Sequence, residues 1–300
     1  MLDITVVILT FNEKKHIERC VANMNKLVKR VVVVDSFSSD NTVDICRKLG
    51  ADVYQNKWIN YASQFQWGLD NCDISTRWTM RMDADEYLEP NLIAELSEQL
   101  PSLSEKVNGI YLKRKVFFKG KWIRFGGFYP HILLRLWHTG SGRIEQRWMD
   151  EHMIIDVPKT IMCKHNLVDD NLNSIGWWID KHNNYATREM IDLLNIKYGF
   201  IARDSGLSVT DDPQARIKRH IKEKIYSKLP VGIRPIIYFL YRYFFRLGFL
   251  DGSKGFVFHF LQGFWYRLLV DVKVKEIEDG ANVPSDVPDA IYAKYGIKVK

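Results

Sequence analysis

The chain is organised around the stretch Trp78-Thr79-Met80-Arg81-Met82-Asp83-Ala84-Asp85-Glu86, in which a mainly apolar run is followed at once by three carboxylates. Like charges a few ångströms apart repel and raise one another's pKa, so such a cluster is costly unless something offsets its charge. A hard divalent cation would do so, since Mg²⁺ or Mn²⁺ prefers oxygen ligands and bridges carboxylates to phosphates. At the end of a buried strand, the cluster would face the crevice where α/β sheets bind ligands. A solvated acidic turn before a helix at Pro90 is the alternative.

The chain before this stretch alternates between short β-branched runs and amphipathic segments. Strands are predicted at Ile4–Thr10, Val31–Val34, Asp52–Tyr54 and Arg77–Met82. Helices are predicted between them at Lys14–Arg30, at Val43–Leu49 with Gly50 as the stop, and at Tyr61–Leu69. Strand–helix alternation with short loops predicts right-handed crossovers and a parallel, doubly wound sheet. The fold class is therefore α/β.

The pattern changes after a predicted helix at Asn91–Leu100. Strands are predicted at Gly109–Phe118, His131–Trp137, Met153–Ile155 and Ile161–Cys163, followed by a long helix at Ile175–Leu194. We expect this smaller mixed half to complete a cleft with the first, so that residues 1–205 form one domain.

Residues 206–300 differ in kind, because they are basic and then strongly aromatic. Arg216–Lys228 is a basic run, and Pro235–Leu250 and Gly255–Val270 are crowded with apolar and aromatic residues. Neither segment supplies the ~20 uncharged apolar residues of a spanning helix. The pattern favours amphipathic helices lying on a membrane surface of anionic lipid. Burial of these helices against the first domain or a partner chain is the alternative.

Composition indicates which class of protein and which partners to expect. The chain has 300 residues, a net charge of +7 and four cysteines without metal-binding spacing, which predicts a folded protein with reduced, buried thiols. The basic run is local and is followed by dense aromatics rather than a stacking platform, so no nucleic-acid partner is predicted.

Three segments together resemble a known family. Val6–Glu13, Val32–Thr42 and Asp83–Glu86 are similar to the motifs of inverting family 2 glycosyltransferases with the GT-A fold, a Rossmann-like nucleotide-diphospho-sugar transferase domain. More narrowly, they resemble the bacterial branch that adds a sugar to lipopolysaccharide core or lipid-linked glycans. The resemblance implies a UDP-hexose donor, a lipid-linked or lipid A-core acceptor, and a peripheral or monotopic enzyme at the cytoplasmic face of the inner membrane.

The resemblance also implies which residues bind the nucleotide-sugar. They are Thr10, Asn12, Glu13, Asp35, Ser38, Gln64, Asp83 and Lys181. Ser38 could equally cap the next helix, and Gln64 could face solvent. Lys181 could contact either the diphosphate or an acceptor phosphate, and its neighbour His182 could be structural or share that role.

A divalent metal, Mg²⁺ or Mn²⁺, is the cofactor that the resemblance implies. Asp85 is the expected ligand, Asp83 is shared between metal and donor, and His165 is expected to complete the shell, with Glu86 as a further acid. A metal there would help to stabilise the charge of the departing diphosphate.

Inverting transfer also needs a base, because the acceptor hydroxyl must lose its proton as it attacks. Asp150-Glu151-His152 is the candidate segment, with Glu151 preferred and Asp150 as the alternative. A structural acid pair that caps a loop would explain the same residues.

Two other functions compete with transfer. A peripheral membrane protein could bind the nucleotide-sugar without turnover, and a sugar-phosphate nucleotidyltransferase could share the acidic metal ligands. The second class usually carries a glycine-rich basic loop after the first strand, where this chain has Phe11-Asn12-Glu13.

Overall fold

The computed structural model describes residues 1–146, 148–149, 151–201, 232–281 and 283–299. The strands are β1 (Leu2–Thr10), β2 (Val28–Asp35), β3 (Asp52–Gln55), β4 (Trp78–Asp83), β5 (Glu86–Leu88), β6 (Gly109–Phe118), β7 (Lys121–Ile123), β8 (His131–His138), β9 (Gly142–Ile144), β10 (Met153–Ile155) and β11 (Thr160–Asp170). The helices of the first 200 residues are α1 (Ile17–Met24), α2 (Thr42–Lys48), α3 (Tyr61–Asn71), α4 (Pro90–Ser102) and α5 (Ile175–Tyr198).

The described strands form one large mixed sheet and one small ribbon. The large sheet has the order β3-β2-β1-β4-β8-β6-β11-β5, with β7 paired to β6, and β9 pairs with β10 separately. The neighbours β3, β2, β1 and β4 run parallel, as predicted for the first half. From β4 to β8 and from β8 to β6 the pairing is antiparallel. The prediction of a wholly parallel first sheet is therefore right for four strands, and the second half completes the sheet rather than standing beside it.

Two boundaries differ from the sequence predictions for the same reason, long-range pairing. The helix predicted at Lys14–Arg30 is wrong in length, because Val28 already pairs with Leu2 at the start of β2. The acidic stretch does not lead straight into a helix at Pro90: β5 intervenes, and its Tyr87 pairs antiparallel with Val168 of β11. Neither pairing partner is near in sequence, so local periodicity could not reveal it.

The sheet is buried on both faces. On one face, α1 contributes Ile17, Cys20, Val21 and Met24, whose spacing places them on one side of the helix. On the other face, α3 lies so close that a Cβ at Gly68 would stand 2.9 Å from Val34 Cγ2. All four cysteines are buried, as expected.

The C-terminal part consists of short helical segments. They are α6 (Ile233–Leu240) with a π-helical turn at Tyr241–Phe245, a 3-10 turn at Gly248–Asp251, α7 (Gly252–His259) with a π-helical stretch at Phe260–Trp265, α8 (Tyr266–Gly280), a 3-10 turn at Pro284–Asp286, and α9 (Val287–Tyr295). The helix predicted at Pro235–Leu250 breaks at Leu247, whose φ is +59°. The predicted basic run Arg216–Lys228 lies outside the described residues.

Residues 266–291 pack on α5, whereas residues 233–260 expose many large apolar side chains. Tyr266 and Val270 pack on Ala186 of α5, and Ile277 and Ile291 pack on its far end. The exposed large apolar side chains of residues 233–260, called the apolar face below, number thirteen: Ile233, Ile236, Ile237, Leu240, Tyr241, Phe244, Phe245, Leu247, Phe249, Leu250, Phe256, Val257 and Phe260. Among the described helices, none is both long and apolar enough to span a bilayer.

Candidate functional site

The ends of β1, β2 and β4 meet at one edge of the sheet. Thr10 pairs in register with Asp35, and Leu9 pairs with Asp83. Because parallel strands present their carboxyl ends at the same edge, the three polar segments expected from the sequence come together there. This edge opens into a cleft of about 1460 Å³.

Asp83 is held by a ring of donors. Tyr61 donates its phenolic hydrogen bond to Oδ1 at 2.7 Å, and Arg135 Nη2 donates to Oδ2 at 3.3 Å. Arg81 Nε stands 4.0 Å from Oδ1. Burial alone would raise the pKa of Asp83, but the neighbouring Arg135 and Arg81 guanidiniums hold it well below its usual value. Asp83 is therefore a fixed anion at the cleft wall.

Glu86, the further acid, is structural rather than exposed to the cleft. Its side chain is 0% exposed. It accepts hydrogen bonds from the Asp83 backbone N–H at 3.0 Å and from Arg135 Nη2 at 2.5 Å. Burial raises the pKa of Glu86 above its usual value, and Arg135 opposes that rise. Glu86 and Arg135 thus set the conformation of the turn that carries Asp83 and Asp85.

Asp85 is the acid most available to a ligand. It lines the cleft, and Asn171 Nδ2 donates to its Oδ2 at 2.8 Å, whereas no described residue donates to its Oδ1. Asp169, which also lines the cleft, has its pKa raised to about 6 by burial and by the nearby Asp85 carboxylate. This repulsion is what a bound cation would relieve.

The carboxylate oxygens at this end of the cleft are the kind of ligand that a hard divalent cation prefers. Asp85 offers a carboxylate oxygen without a hydrogen bond, and Asp169 stands close enough to repel it. Within the part of the chain that the structure describes, no three acid, histidine or cysteine side chains form a complete metal cage. A cation held here would need oxygens from water or from a ligand phosphate, which is how Mg²⁺ is usually bound.

Six residues expected at the site line the cleft. They are Thr10, Glu13, Asp83, Asp85, Glu151 and Lys181, and His182 lines it as well. Glu151 is half-buried, and its backbone oxygen accepts a hydrogen bond of 3.4 Å from Arg81 Nη1. The base candidate therefore shares a wall with Asp83. The alternative base, Asp150, lies outside the described residues.

Asp35 and Ser38 are placed behind the cleft rather than on its surface. Asp35 is 0% exposed and accepts hydrogen bonds from the Thr10 hydroxyl at 2.8 Å and from the Ser38 hydroxyl at 2.5 Å. Ser38 in turn accepts the Asn12 backbone N–H at 2.8 Å, and Asn12 itself has a φ of +56°. These three residues fasten the two strand-end loops to each other, and their expected contacts with a nucleotide stay predictions.

Gln64 and His165 also lie off the cleft surface. Gln64 is buried, and its amide donates to the Ser36 hydroxyl at 3.0 Å, so it supports a residue that does line the cleft. The alternative of a solvent-facing Gln64 is thereby wrong, and its expected contact with the nucleotide stays a prediction. His165 pairs with Glu95 of α4 at 2.9 Å, which leaves it away from Asp85 and its expected metal.

Helix α5 supplies a wall of alternating aromatic rings and cations. Lys181 Nζ stands 4.7 Å from the Trp177 ring centroid and 5.7 Å from that of Tyr185. Arg188 continues the series, 5.9 Å from Tyr185 and 5.7 Å from Trp58. Burial alone would lower the pKa of Lys181, but Tyr185 and the acids Asp85, Glu13 and Asp169 keep it above its usual value. The wall therefore faces the acids with positive charge.

His182 has a different environment from its neighbour. Its Nδ1–H donates to the Trp178 carbonyl oxygen at 2.8 Å, and its ring stacks on Trp178 with centroids 3.4 Å apart. Burial lowers the pKa of His182 to about 4, so the ring is neutral near pH 7. This geometry favours the structural role among the two that the sequence left open.

Several cleft residues escaped the sequence predictions. Arg135, Arg114, Tyr61, Arg188 and Asp169 all line the cleft. Only Asp169 carried a readable signal, since Asp169-Asp170 follows Leu167-Val168 just as the first acids follow Met82. An isolated arginine or tyrosine in a strand or helix gives no such signal.

The far wall of the cleft comes from the C-terminal helices. Asp251 accepts the backbone N–H groups of Arg124 and Phe125, both at 3.0 Å, and Arg242 Nε donates to the Gly126 carbonyl at 3.1 Å. Gly126 has a φ of +68°, and a Cβ there would stand 2.2 Å from His259 Cε1. The loop after β7 is thus locked to α7 by buried polar groups.

Comparison with known proteins decides the family. The model for "Glycosyl transferase family 2" matches residues 5–171. The chain belongs to this family. This family 2 member is 36% identical over 96 residues to an uncharacterized glycosyltransferase of Rickettsia felis, a match that covers 32% of the chain and 33% of the relative. The matched stretch thus spans about a third of that curated relative.

Two solved structures overlay on most of this family 2 chain. The mannosyltransferase PcManGT from Pyrobaculum calidifontis, in complex with GDP-Man and Mn²⁺, has a TM-score of 0.50 at 12% identity, covering 91% of this chain and 87% of its own. S. aureus TarS 1-349 in complex with UDP-GlcNAc has a TM-score of 0.48 at 12% identity, covering 93% and 92%. The first likeness confirms a glycosyltransferase fold of the GT-A type, here with a mixed sheet.

Proposed function

We propose that this chain is an inverting glycosyltransferase that moves a hexose from a UDP-hexose to a lipid-linked glycan or lipopolysaccharide core acceptor. The observation that carries the proposal is that Asp83, Asp85 and Glu151 line one cleft at the carboxyl edge of the parallel strands. The family assignment supports a nucleotide-activated donor. The Pyrobaculum mannosyltransferase, which holds GDP-Man and Mn²⁺, supports the same donor class.

The donor side of the cleft has groups suited to a diphosphate. Lys181 and Arg188 supply fixed positive charge from α5. Asp85, with Asp169 beside it, would hold Mg²⁺ or Mn²⁺, and such a cation when bound supplies further positive charge to the leaving diphosphate. Asp83, already fixed by Tyr61 and Arg135, offers a rigid acceptor for a donor hydroxyl.

The acceptor side needs one proton acceptor. Glu151 takes the proton of the acceptor hydroxyl as the hydroxyl oxygen bonds to the anomeric carbon, opposite the diphosphate. The bond from that carbon to the diphosphate oxygen breaks, and its electron pair leaves with the diphosphate. One displacement therefore inverts the anomeric configuration. Asp150 is the alternative base.

The apolar face supports work at a membrane surface, which we place at the cytoplasmic side of the inner membrane. Soluble monomers rarely expose a contiguous patch of large apolar side chains. Here thirteen such side chains lie between Ile233 and Phe260, and the basic run Arg216–Lys228 precedes them in sequence. An interfacial helix pair beside anionic lipid fits this combination.

The transfer proposal is tested with Asp85→Asn. We expect a loss of about 10²–10³-fold in hexose transfer from UDP-hexose with Mn²⁺, because a ligand and a fixed charge are removed. Transfer to a membrane extract is measured as nucleotide release and product formation. Asp44→Asn, which changes an exposed acid on α2, is the matched control and should transfer normally. Near-normal transfer by Asp85→Asn would overturn the assignment.

The base is tested by comparing Glu151→Gln with Asp150→Asn. Glu151→Gln should lower transfer by about 10²–10⁴-fold while donor binding persists, since only proton removal is affected. A larger loss in Asp150→Asn would move the base by one residue. Donor binding without turnover in the unmodified chain, across UDP-hexoses and metals, would instead favour a non-catalytic binding protein.

A further inference from the structure

Arg246 lies where the cleft meets the apolar face. Its side chain lines the cleft, whereas its sequence neighbours Phe245 and Leu247 are 80% and 46% exposed on the apolar face. One short turn therefore presents a cation to the cleft and apolar side chains to the outside. The inference drawn from this turn rests on the membrane part of the proposed function.

The backbone holds Arg246 firmly. Its N–H donates to the Tyr241 carbonyl at 3.0 Å, and its carbonyl accepts the Gly126 N–H at 2.8 Å. A Cβ at Gly127 would stand 3.4 Å from Arg246 Nε, so the guanidinium lies against the loop after β7. These contacts hold the Arg246 guanidinium beside the cleft.

The guanidinium of Arg246 nevertheless makes few hydrogen bonds to the described residues. Within the described residues, its side chain makes one long hydrogen bond, 3.4 Å to the Tyr241 hydroxyl. The nearby Arg242 is the opposite case, because it is buried and bonds to Gly126, Gln262 and His259. Two arginines four residues apart thus divide into one that builds the cleft wall and one left facing the cleft.

Two lysines lie at the hairpin that precedes the loop against which Arg246 packs. Lys119 lines the cleft, and Lys254 Nζ donates to the Lys119 carbonyl at 2.7 Å, which places both beside the hairpin of β6 and β7. In the described parts of the chain, neither lysine nor Arg246 forms an ion pair with a carboxylate. A guanidinium without a counter-ion among the described residues, at the border of an apolar face, indicates an anionic ligand at headgroup depth.

We propose that Arg246 binds the phosphate of a phosphorylated lipid acceptor while Phe245 and Leu247 enter the membrane surface. A guanidinium suits this ligand, because its planar donors bind phosphate oxygens in pairs. The acceptor class is therefore a glycan whose lipid anchor bears phosphate, and a neutral glycolipid lacks the group that Arg246 recognises. The glycan beyond the phosphate extends along the cleft toward Glu151.

The test is co-sedimentation of the full chain with phosphatidylcholine vesicles, with and without phosphatidic acid as a phosphomonoester lipid. The unmodified chain should bind the phosphatidic acid vesicles more tightly. Arg246→Gln should lose about tenfold of that binding and keep its binding to phosphatidylcholine alone, since one charge-assisted phosphate contact is removed. Phe245→Asp should bind both kinds of vesicle more weakly. Lys48→Gln and Ile59→Asp, exposed sites elsewhere, are the matched controls.

The outcomes separate the sources of phosphate and the two proposals. Equal binding of both vesicle types by the unmodified chain, or unchanged binding by Arg246→Gln, overturns the phosphate site. If inorganic phosphate binds at Arg246 but the chain shows no preference between the two vesicle types, the site binds a free anion. That outcome also overturns the lipid-phosphate site. If the chain is a dimer in solution and does not bind vesicles, the apolar face contacts a second copy. That outcome likewise overturns the lipid site. Asp85→Asn should sediment with the vesicles like the unmodified chain. The vesicle result therefore tests the phosphate site separately from the transfer reaction.

Discussion

The sheet half and the C-terminal half both bury charged pairs, but residues 233–260 expose a much denser set of large apolar side chains. In β1, Val6, Val7 and Ile8 are fully buried, and the charged pair of Arg135 and Glu86 is buried with them. In the C-terminal half, Phe245 is 80% exposed while the ion pair of Arg234 and Asp271 is buried. Buried ion pairs stabilise both halves, and the C-terminal half differs by the many large apolar side chains that it leaves exposed.

The largest test of this contrast is Arg135→Met. The change leaves Glu86 and Asp83 without their buried partner, so the free energy of unfolding should fall by about 3–5 kcal/mol. Urea unfolding measures it. Arg124→Met, an exposed site whose side chain lies over the Trp122 and Phe125 rings, should change stability far less. Equal effects would mean that the buried pair contributes nothing special to the sheet half.

A second test addresses the junction between the halves. Gly126→Ala should destabilise the docked helices by about 2–4 kcal/mol, because the new methyl adds a clash with His259 to the cost of a left-handed alanine. Gly120→Ala is the matched control: its φ is +75°, but a Cβ there would meet no described atom within 4 Å. The difference between the two variants in urea unfolding reports the junction alone. If both lose the same stability, the loop is not locked to α7.

The third test uses acid. Burial and the nearby Arg242 lower the pKa of His259 to about 4, whereas the Asp251 carboxylate opposes the shift. Because the unfolded chain takes up the proton near the usual pKa of 6.5, folding stability falls as the pH drops from there toward 4. We expect His259→Asn to lose part of this slope, about 1–2 kcal/mol between about pH 7 and about pH 5. An identical slope in the variant would show that His259 does not titrate in this way.

The smallest expected effect is also informative. Phe245→Ser should change the free energy of unfolding in water by under about 0.5 kcal/mol, since the side chain is mostly exposed already. Phe258→Ala, at a position packed on Phe118 and only 3% exposed, should cost about 3–5 kcal/mol. A large loss from Phe245→Ser in dilute solution would indicate that Phe245 is covered by a second copy.

Local patterns allowed much of the sheet half to be predicted. The β-branched runs of β1 and β2 and the acids after Met82 were sufficient, because a buried parallel strand has its own composition. The patterns pointed to Asp83 and Asp85, the family resemblance added Glu151, and all three residues line one cleft. The breaks between helices were less predictable, as the turn at Leu247 shows.

Short stretches of the chain were enough to predict the family, the parallel strands and the acids at their ends. The three-dimensional arrangement was needed to show that Glu86 is buried against Arg135, that β5 pairs with β11, and that Arg242 builds the cleft while Arg246 faces it. Each of these depends on a partner far along the chain. Burial and charge pairing are properties of the assembled surfaces, and neighbouring residues do not encode them.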